Sequence, residues 1–256
     1  MRRGLRERVR RRNTKGVKVG EDAMKTLLTA LVIIVSIGTV GGACAQNFQK
    51  GMSAYETGDY ATALREFKVL AELGHVDARF NLALMYKDGQ GVVQDYKAAV
   101  KWFSEAAEEG NVFAQYNLGF MYKDGQGITQ DDKEAVKWFR EAAEQGYAYA
   151  QFNLGVMYAN GQGVTQDDKE AVKWLRKATE QGFADAQHGL GVMYESGLGV
   201  IQDNVYAHMW WNIAASFGNK DAVKNRDIVA KRMTPSQLDK AQGLARKCVR
   251  KNYKGC

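Results

Sequence analysis

The sequence contains very little proline. Only Pro235 occurs among the 256 residues, whereas glycine occurs 27 times. Proline interrupts helices because it lacks an amide hydrogen, and glycine ends them because it adopts positive φ without strain. A chain that leaves its segments free of proline and marks its turns with glycine is expected to contain many helices joined by short turns.

Histidine and cysteine are also scarce, and this limits the chemistry available. His75, His188 and His208 are far apart, and none has the H-x-x-x-H spacing or a nearby cysteine that zinc binding requires. The sequence has no G-x-S-x-G motif, and its G-x-G pairs lack the strand and the Lys-Ser/Thr pair of phosphate-binding loops. We therefore predict no catalytic residues, no metal ion and no cofactor.

The net charge of +7 is unevenly distributed along the chain. Residues 1–45 hold ten basic and three acidic residues, which leaves 26 of each sign in residues 46–256. Within the latter, residues 46–219 carry 15 basic and 23 acidic residues, and residues 220–256 carry 11 and 3. No continuous basic stripe with interleaved aromatic residues is present, so we predict no nucleic-acid partner.

The N-terminal segment has the layout of a secretory signal peptide. A basic region precedes an apolar run from Leu27 to Val40, and small residues follow it up to an A-x-A cleavage motif at residues 43–45. Cleavage after Ala45 would leave Gln46 as the mature N-terminus, in the periplasm or outside the cell. Met24 lies directly before the signal, so either Met1 or Met24 is the start.

Two other interpretations of this segment stay open. The uncharged stretch reaches the roughly 20 residues that span a bilayer, so it would also serve as an uncleaved inner-membrane anchor. A lipoprotein processed at Cys44 is a weaker alternative, because Gly41 stands where an apolar residue is normal. After cleavage only Cys248 and Cys256 remain, and in an oxidising compartment we expect them to form one local disulfide.

The main feature of the chain is a repeat of 36 residues. The run from Asn81 to Gly91 recurs from Asn117 to Gly127 and from Asn153 to Gly163, and more weakly from Gly189 to Gly199. One tryptophan per repeat keeps the same step, at Trp102, Trp138, Trp174 and Trp210. Repetition at this period is typical of helical arrays in which each unit packs on its neighbours.

Each repeat is expected to form two helices. The first begins near Asp77 in the first copy, and the second begins at an aspartate: Asp95, Asp131, Asp167 or Asp203. Asp131 and Asp167 are followed three residues later by glutamate, which predicts capping boxes. Asp-Gly-Gln-Gly forms the turn between the helices, and a further glycine ends each second helix.

The ends of the array differ from its middle. We divide the chain into a leader (1–45), a degenerate first repeat (46–76), four full repeats (77–218) and C-terminal capping helices with a basic tail (219–256). Thr234-Pro235 is predicted to open the last helix. The tail could contact anionic lipid or cell-wall polymer, or fold back on the acidic array.

The repeat resembles the Sel-one-like repeat family, which is related to the tetratricopeptide repeats. The likeness lies in the L-G-x-M-Y run at 118–122, the G-x-G turn at 125–127 and the A-x-x-W-x-x-x-A-A-x-x-G pattern at 135–146. It implies an all-α fold, a right-handed α/α superhelical solenoid of tetratricopeptide-like helix pairs. It also implies a binding role, because members of the family are mostly interaction scaffolds.

The resemblance further implies which residues face a ligand, because first helices line the concave side of such solenoids. The implied binding positions are Phe80, Leu84, Lys87, Tyr116, Phe120, Lys123, Phe152, Val156, His188 and Val192. A groove of this kind suits an extended peptide or a partner helix, although the aromatic positions could equally belong to the core. The four periodic tryptophans are expected to be core residues between repeats, whereas Trp211 is expected to be exposed.

The sequence thus predicts an exported, non-enzymatic scaffold that binds protein partners in the bacterial cell envelope. Two alternatives remain: an accessory protein or enzyme that acts on cell-wall fragments, and a secreted factor that binds host proteins. Partner identity and oligomeric state are not determined by the sequence.

Overall fold

The computed structural model describes residues 45–256, which contain helices and no strand. The predicted signal segment and the candidate lipidation site at Cys44 lie outside the described residues. No helix among residues 45–256 has the length and apolar character needed to cross a bilayer. The chain separates into two compact units, with the boundary between Leu70 and Ala71.

The described part of the first unit is a pair of helices. Residues 45–56 form α1, and α2 runs Tyr60–Glu72, past the unit boundary. The Phe48 and Phe67 rings lie 5.8 Å apart, and Phe67 covers Gly51 so closely that a Cβ there would lie 2.7 Å from the ring. Lys50 Nζ bonds Glu66 Oε1 at 2.7 Å across the pair. Glycine therefore permits the close packing of α1 and α2.

The second unit is an array of antiparallel helix pairs. The first, or A, helices are α3 (Val76–Asp88), α5 (Val112–Asp124), α7 (Ala148–Asn160), α9 (Ala184–Ser196) and α11 (Lys220–Ala230). The second, or B, helices are α4 (Tyr96–Glu108), α6 (Asp132–Glu144), α8 (Asp168–Thr179), α10 (Asn204–Ser216) and α12 (Pro235–Arg250). From α3 to α10, each A helix packs against the B helix of its own repeat, and each B helix packs against the next A helix.

The predicted starts of the B helices are confirmed. Each of Asp95, Asp131, Asp167 and Asp203 is an N-cap whose carboxylate accepts two amide hydrogens from the first turn. The two predicted capping boxes are only half formed. Glu134 and Glu170 make ion pairs with Lys137 and Lys173, one turn along the helix, in place of the reciprocal bond to the cap.

The A and B helices of one repeat are closely packed because the A helix carries a glycine at the contact. A Cβ on Gly119 would lie 2.8 Å from the Phe139 ring. In the fourth repeat the ring over the corresponding Gly191 belongs to Trp211. The prediction that Trp211 is exposed is therefore wrong: it is 3% exposed, and its Nε1 donates to the His188 carbonyl at 3.1 Å. It occupies the core position that Phe103 and Phe139 hold in earlier repeats.

Three of the four periodic tryptophans lie between repeats, as predicted. Trp138 packs against the core formed by α3, α4 and α5, and Trp174 packs against the core of α6 and α7. Trp174 and Trp210 are buried, whereas Trp102 and Trp138 are partly exposed. Trp138, Trp174 and Trp210 therefore join their repeats to the preceding ones, whereas Trp102 packs in the cluster of α3, α4 and α5.

Neighbouring repeats are held in register by the second glycine of each turn. Gly163 rests on the backbone of Asp132 at the start of α6, and Gly199 rests in the same way on Asp168 at the start of α8. Two glutamines add a second link. Gln115 Nε2 donates to the Ala107 carbonyl of the preceding repeat at 3.1 Å, and Gln151 Nε2 donates to the Ala143 carbonyl at the same distance. The contact between repeats is thus fixed at both the turn end and the opposite end.

The C-terminal tail folds back on the array. Its helix α12 begins with a complete capping box between Thr234 and Gln237 and packs against α10. Cys248 is buried in the core of the fourth repeat and forms the predicted disulfide with Cys256. Within the loop that this disulfide closes, Tyr253 lies near Gly182 and Phe217.

We predict that Gly163→Ala destabilises the protein more than Gly146→Ala does. Both glycines have positive φ, +67° and +94°, so both substitutions carry the cost of a left-handed alanine, about 1–2 kcal/mol. Only at Gly163 would the new Cβ collide with backbone, which adds about 1–3 kcal/mol. Urea unfolding followed by circular dichroism measures the difference. Equal urea midpoints for the two variants would show that the contact between Gly163 and Asp132 does not constrain the register between neighbouring repeats.

Candidate functional site

The ten predicted binding positions lie on the A helices and are partly buried. We call the surface that they form the A-helix face: Phe80, Leu84, Lys87, Tyr116, Phe120, Lys123, Phe152, Val156, His188 and Val192. Tyr116 illustrates their double role. Its ring contacts Phe139 of its own B helix, with centroids 5.9 Å apart, and also the Phe120 ring at 5.0 Å. These side chains therefore both support the core and contribute to the surface.

The two lysines lie at the C-terminal ends of their helices. Lys87 Nζ donates to Asn117 Oδ1 of the next A helix at 3.4 Å. Lys123 Nζ lies 5.6 Å from the centroid of the Phe120 ring. They border one edge of the face and leave its opposite edge, at the N-terminal turns of the A helices, without lysine.

His188 and Val192 are separated from the aromatic part of the face. His188 Nε2 lies 3.0 Å from the side-chain nitrogen of Asn225 on α11, and Val192 packs in the cluster formed by α10 and α11. Burial lowers the pKa of His188, although Asp221 and Asp185 oppose the shift. The fourth repeat thus engages the C-terminal cap, and the continuous aromatic surface belongs to the first three repeats.

A row of seven aromatic rings, of which the sequence predicted only Phe80, Tyr116 and Phe152, lies along the N-terminal edge of the face. We call it the aromatic ribbon: Phe80, Phe113, Tyr116, Tyr147, Tyr149, Phe152 and Phe183. Neighbouring ring centroids are 5.9 Å apart for Phe80–Phe113, 5.5 Å for Phe113–Tyr147 and 5.0 Å for Tyr116–Tyr147. The row continues through Tyr147–Tyr149 at 5.4 Å, Tyr149–Phe183 at 4.7 Å and Phe152–Phe183 at 5.4 Å.

The ribbon is open to solvent at two of its rings. Phe113 is 48% exposed and Tyr149 is 49% exposed, although both belong to well-ordered first turns of helices. Exposed aromatic rings in a contiguous group mark interaction sites more often than isolated apolar residues do. The ribbon is therefore the part of the A-helix face that is best suited to recognise a partner.

The helix caps show that the aromatic residues at the cap positions are not favoured by local helix stability. Asn111 and Asn219 cap α5 and α11 by accepting an amide hydrogen from the first turn. At the equivalent positions Tyr147 and Phe183 make no side-chain cap bond. Loss of an N-cap costs about 1 kcal/mol, so the middle repeats have given up local stability to hold these rings.

Tyr116 and Tyr147 of the ribbon remain protonated at physiological pH. Burial raises the pKa of Tyr116 to about 12, and the neighbouring Tyr147 and Tyr149 add to the shift. Burial also raises the pKa of Tyr147. Their hydroxyls therefore act as neutral hydrogen-bond donors and acceptors, and neither is activated as a base.

Comparison with known proteins agrees with this architecture. The sequence model of the Sel1 repeat matches four times, at residues 76–111, 112–147, 148–183 and 184–219, which together cover more than half of the chain. The chain belongs to the Sel1 repeat family. Proteins of this family are generally non-catalytic scaffolds for protein–protein interaction, and their helix pairs form the solenoid expected from the sequence.

Two solved structures share both sequence and fold with the chain. A protective antigen of uropathogenic Escherichia coli with an SLR fold is 35% identical with a TM-score of 0.73, over 82% of this chain and 47% of that protein. A Sel1 repeat protein from Oxalobacter formigenes is 33% identical with a TM-score of 0.66, over 68% of this chain and 72% of its own. The chain thus spans about half the length of the first relative. No curated protein matches the chain.

Residues 45–256 contain no group of three or more histidine, cysteine or acidic side chains arranged to hold a metal ion. His75 caps α3 by accepting from the Ala78 amide, and His208 is buried in α10 beside α11. His75 therefore serves as a helix cap, and His208 belongs to the packed interior.

We predict that the two buried histidines make the protein less stable in mild acid. Burial lowers the pKa of His188 and of His208, with Arg226 adding to the shift at His208 and Asp227 opposing it. The unfolded chain consequently binds protons first, and stability falls as the pH drops below the ordinary histidine value of about 6.5. Thermal unfolding between about pH 8 and pH 5 should show a smaller loss of Tm for the His188→Gln/His208→Gln variant than for the parent protein. An equal loss in both would assign the acid sensitivity to other groups.

Proposed function

We propose that this chain is an exported, non-enzymatic scaffold that binds a protein partner in the bacterial cell envelope through its A-helix face. The observation that carries the proposal is the aromatic ribbon, because Phe113 and Tyr149 expose about half of their surface. The scaffold role general to the Sel1 family supports it. In a solenoid the A helices line the concave side, where an extended segment can contact several repeats at once.

Export is supported by two features of the chain. The sequence before Gln46 has the order of a signal peptide, with basic, apolar and small residues in turn. The disulfide between Cys248 and Cys256 suits an oxidising compartment, where such bonds persist. The description of the related E. coli protein as a protective antigen agrees with a location outside the cytoplasm.

The choice between a periplasmic scaffold and a secreted factor that binds host proteins depends on where the mature chain is retained. The acidic surface of residues 46–219 disfavours the third possibility, an accessory role on anionic cell-wall fragments, because like charges repel. We therefore place the protein in the periplasm as the first hypothesis.

We predict that a crosslinking pull-down from intact cells, with the mature chain from Gln46 as bait, recovers one or two envelope proteins reproducibly. A Phe113→Ala/Tyr149→Ala bait should lose them, because both rings lie on the A-helix face and are half exposed. Val93→Ala/Ile201→Ala is the matched control, since these apolar side chains are 86% and 91% exposed on the turns of the first and last full repeats.

Loss of the partner from the Phe113/Tyr149 bait alone would support the A-helix face as the docking site. Equal recovery by all three baits would contradict it. Recovery of no protein by a folded bait would overturn the scaffold proposal in favour of a lipid or cell-wall ligand.

We predict that the protein purified from a periplasmic fraction begins at Gln46 and contains no free thiol. Intact-mass measurement with and without reduction tests both points, because one disulfide changes the mass by two hydrogens. A lipid-modified mass that begins at Cys44 would favour the lipoprotein alternative, and an uncleaved chain in the membrane fraction would favour the anchor.

A further inference from the structure

The aromatic ribbon replaces a polar contact that the ends of the array retain. At the first junction between full repeats, Asn111 Nδ2 donates to Asp77 Oδ1 at 3.1 Å, and at the last junction Asn219 Nδ2 donates to Asp185 Oδ1 at 2.9 Å. The equivalent pairs at the two middle junctions are Phe113–Tyr147 and Tyr149–Phe183. The same register position is thus occupied by an aspartate–asparagine pair at each end and by two aromatic pairs between them.

Carboxylates surround this row of rings. Asp77 and Asp185 terminate it at either end, and both are exposed. Glu144 ends α6 and Glu180 is the C-cap of α8, each three residues before a ring of the ribbon, and they make no salt bridge with any residue from 45 to 256.

The basic side chains near this edge do not cancel that charge. Arg79 forms salt bridges from Nε to Glu105 Oε2 at 3.3 Å and from Nη1 to Glu109 Oε1 at 2.6 Å. Lys87 and Lys123 lie at the opposite ends of their helices. The ribbon edge therefore combines exposed aromatic rings with four carboxylates that form no salt bridge among residues 45–256.

We infer that the aromatic ribbon binds an extended peptide segment that alternates apolar side chains with lysine or arginine. Apolar side chains would pack on the Phe113 and Tyr149 rings, and the cations would lie beside the carboxylates and over the ring faces. Packed helices lie roughly 10 Å apart, so the ribbon from α3 to the start of α9 spans about 30 Å. An extended segment of about nine residues covers that length. This inference rests on the proposed scaffold function and specifies the chemistry of its partner.

The surrounding charge favours this occupant over an anionic polymer. A cell-wall fragment or lipid headgroup that bears carboxylate or phosphate would be repelled by Asp77, Asp185, Glu144 and Glu180. The chain's own basic tail is held by the packing of α12 on α10 and by the Cys248–Cys256 disulfide, and it reaches the ribbon at the Phe183 end, where Tyr253 lies beside Gly182. The rest of the ribbon edge is thus left for a cationic segment of another protein.

The chain itself provides the test variant. Phe113→Asp/Tyr147→Asn together with Tyr149→Asp/Phe183→Asn copies the aspartate–asparagine pair of the end junctions into the two middle junctions. The variant should keep the helical content of the parent, because asparagine also restores the N-cap bond that α7 and α9 lack. It removes the exposed rings and adds two negative charges, so a purely electrostatic ligand would bind it more tightly. Phe113→Gln/Tyr149→Gln is the neutral companion variant.

The probes are three peptides of about twelve residues, built from Lys-Leu-Ser, Glu-Leu-Ser or Lys-Ser-Ser units and titrated calorimetrically into the mature protein at low ionic strength. We expect the Lys-Leu-Ser peptide to bind the parent protein roughly tenfold or more tightly than either of the others. Both the four-residue variant and the neutral variant should weaken its binding by a similar factor.

Equal or tighter binding of the Lys-Leu-Ser peptide to the four-residue variant would show that only net charge attracts it, and would overturn the inference. Preference for the Glu-Leu-Ser peptide, or no binding of Lys-Leu-Ser to the parent, would also overturn it. In either case the scaffold proposal would still stand if the crosslinked partner is lost from the Phe113→Ala/Tyr149→Ala bait, so the two failures are distinguishable.

Discussion

The contact between the second turn glycine of one repeat and the first turn of the preceding B helix determines how the repeats stack. At Gly163 and Gly199 the turn lies against the backbone of Asp132 and Asp168, at a distance that leaves no room for a side chain. Because backbone meets backbone, the neighbouring repeat has little freedom to slide. The bonds from Gln115 to the Ala107 carbonyl and from Gln151 to the Ala143 carbonyl fix the other end of the interface between repeats. Repetition of one contact in this way propagates a single register through the array.

That register brings together residues that are 34 positions apart in sequence, and the candidate site depends on it. The second residue of one A helix meets the N-cap of the next A helix, as in Asp77 with Asn111 or Phe113 with Tyr147. A small change in stacking would separate every such pair. The repeats can therefore share an invariant framework while the pair at each junction is varied. Substitution of aromatic rings for a capping asparagine at two junctions costs helix stability, and such costs are common where a surface serves recognition.

Most of the fold could be predicted because each local sequence signal, such as a helix cap or a turn glycine, occurs in several repeats. The aspartate caps and the turn glycines recur at a fixed spacing, so the bounds of the B helices followed from local chemistry alone. The capping boxes at Glu134 and Glu170 failed because a lysine one turn along the helix competes for the carboxylate. The prediction for Trp211 is wrong because only Trp210 has the spacing of the periodic tryptophans, whereas Trp211 is equivalent to Phe139, a core residue.

The site was only partly predictable, since the likeness to tetratricopeptide repeats identifies the middle of each A helix and not its first turn. Tyr116 and Phe152 were found in this way, whereas Phe113 and Tyr149 were missed. Residues in the first turn are usually solvated, so an aromatic side chain there gives no periodic hydrophobic signal. The signal was instead a difference between repeats: the series Asp77, Phe113, Tyr149, Asp185 is polar at its ends and aromatic in the middle.

This comparison of equivalent positions separates architecture from function within one chain. Residues that all repeats share, such as the turn glycines, satisfy geometric requirements that do not change along the array. The fourth repeat departs from the others where it meets the cap, because His188 bonds Asn225 and Trp211 fills the core beside α11. In the first turns of the A helices, the middle repeats depart from the end repeats by carrying aromatic rings, of which Phe113 and Tyr149 reach solvent. Since no packing requirement explains that departure, the exposed rings of Phe113 and Tyr149 are best explained by a partner that covers them.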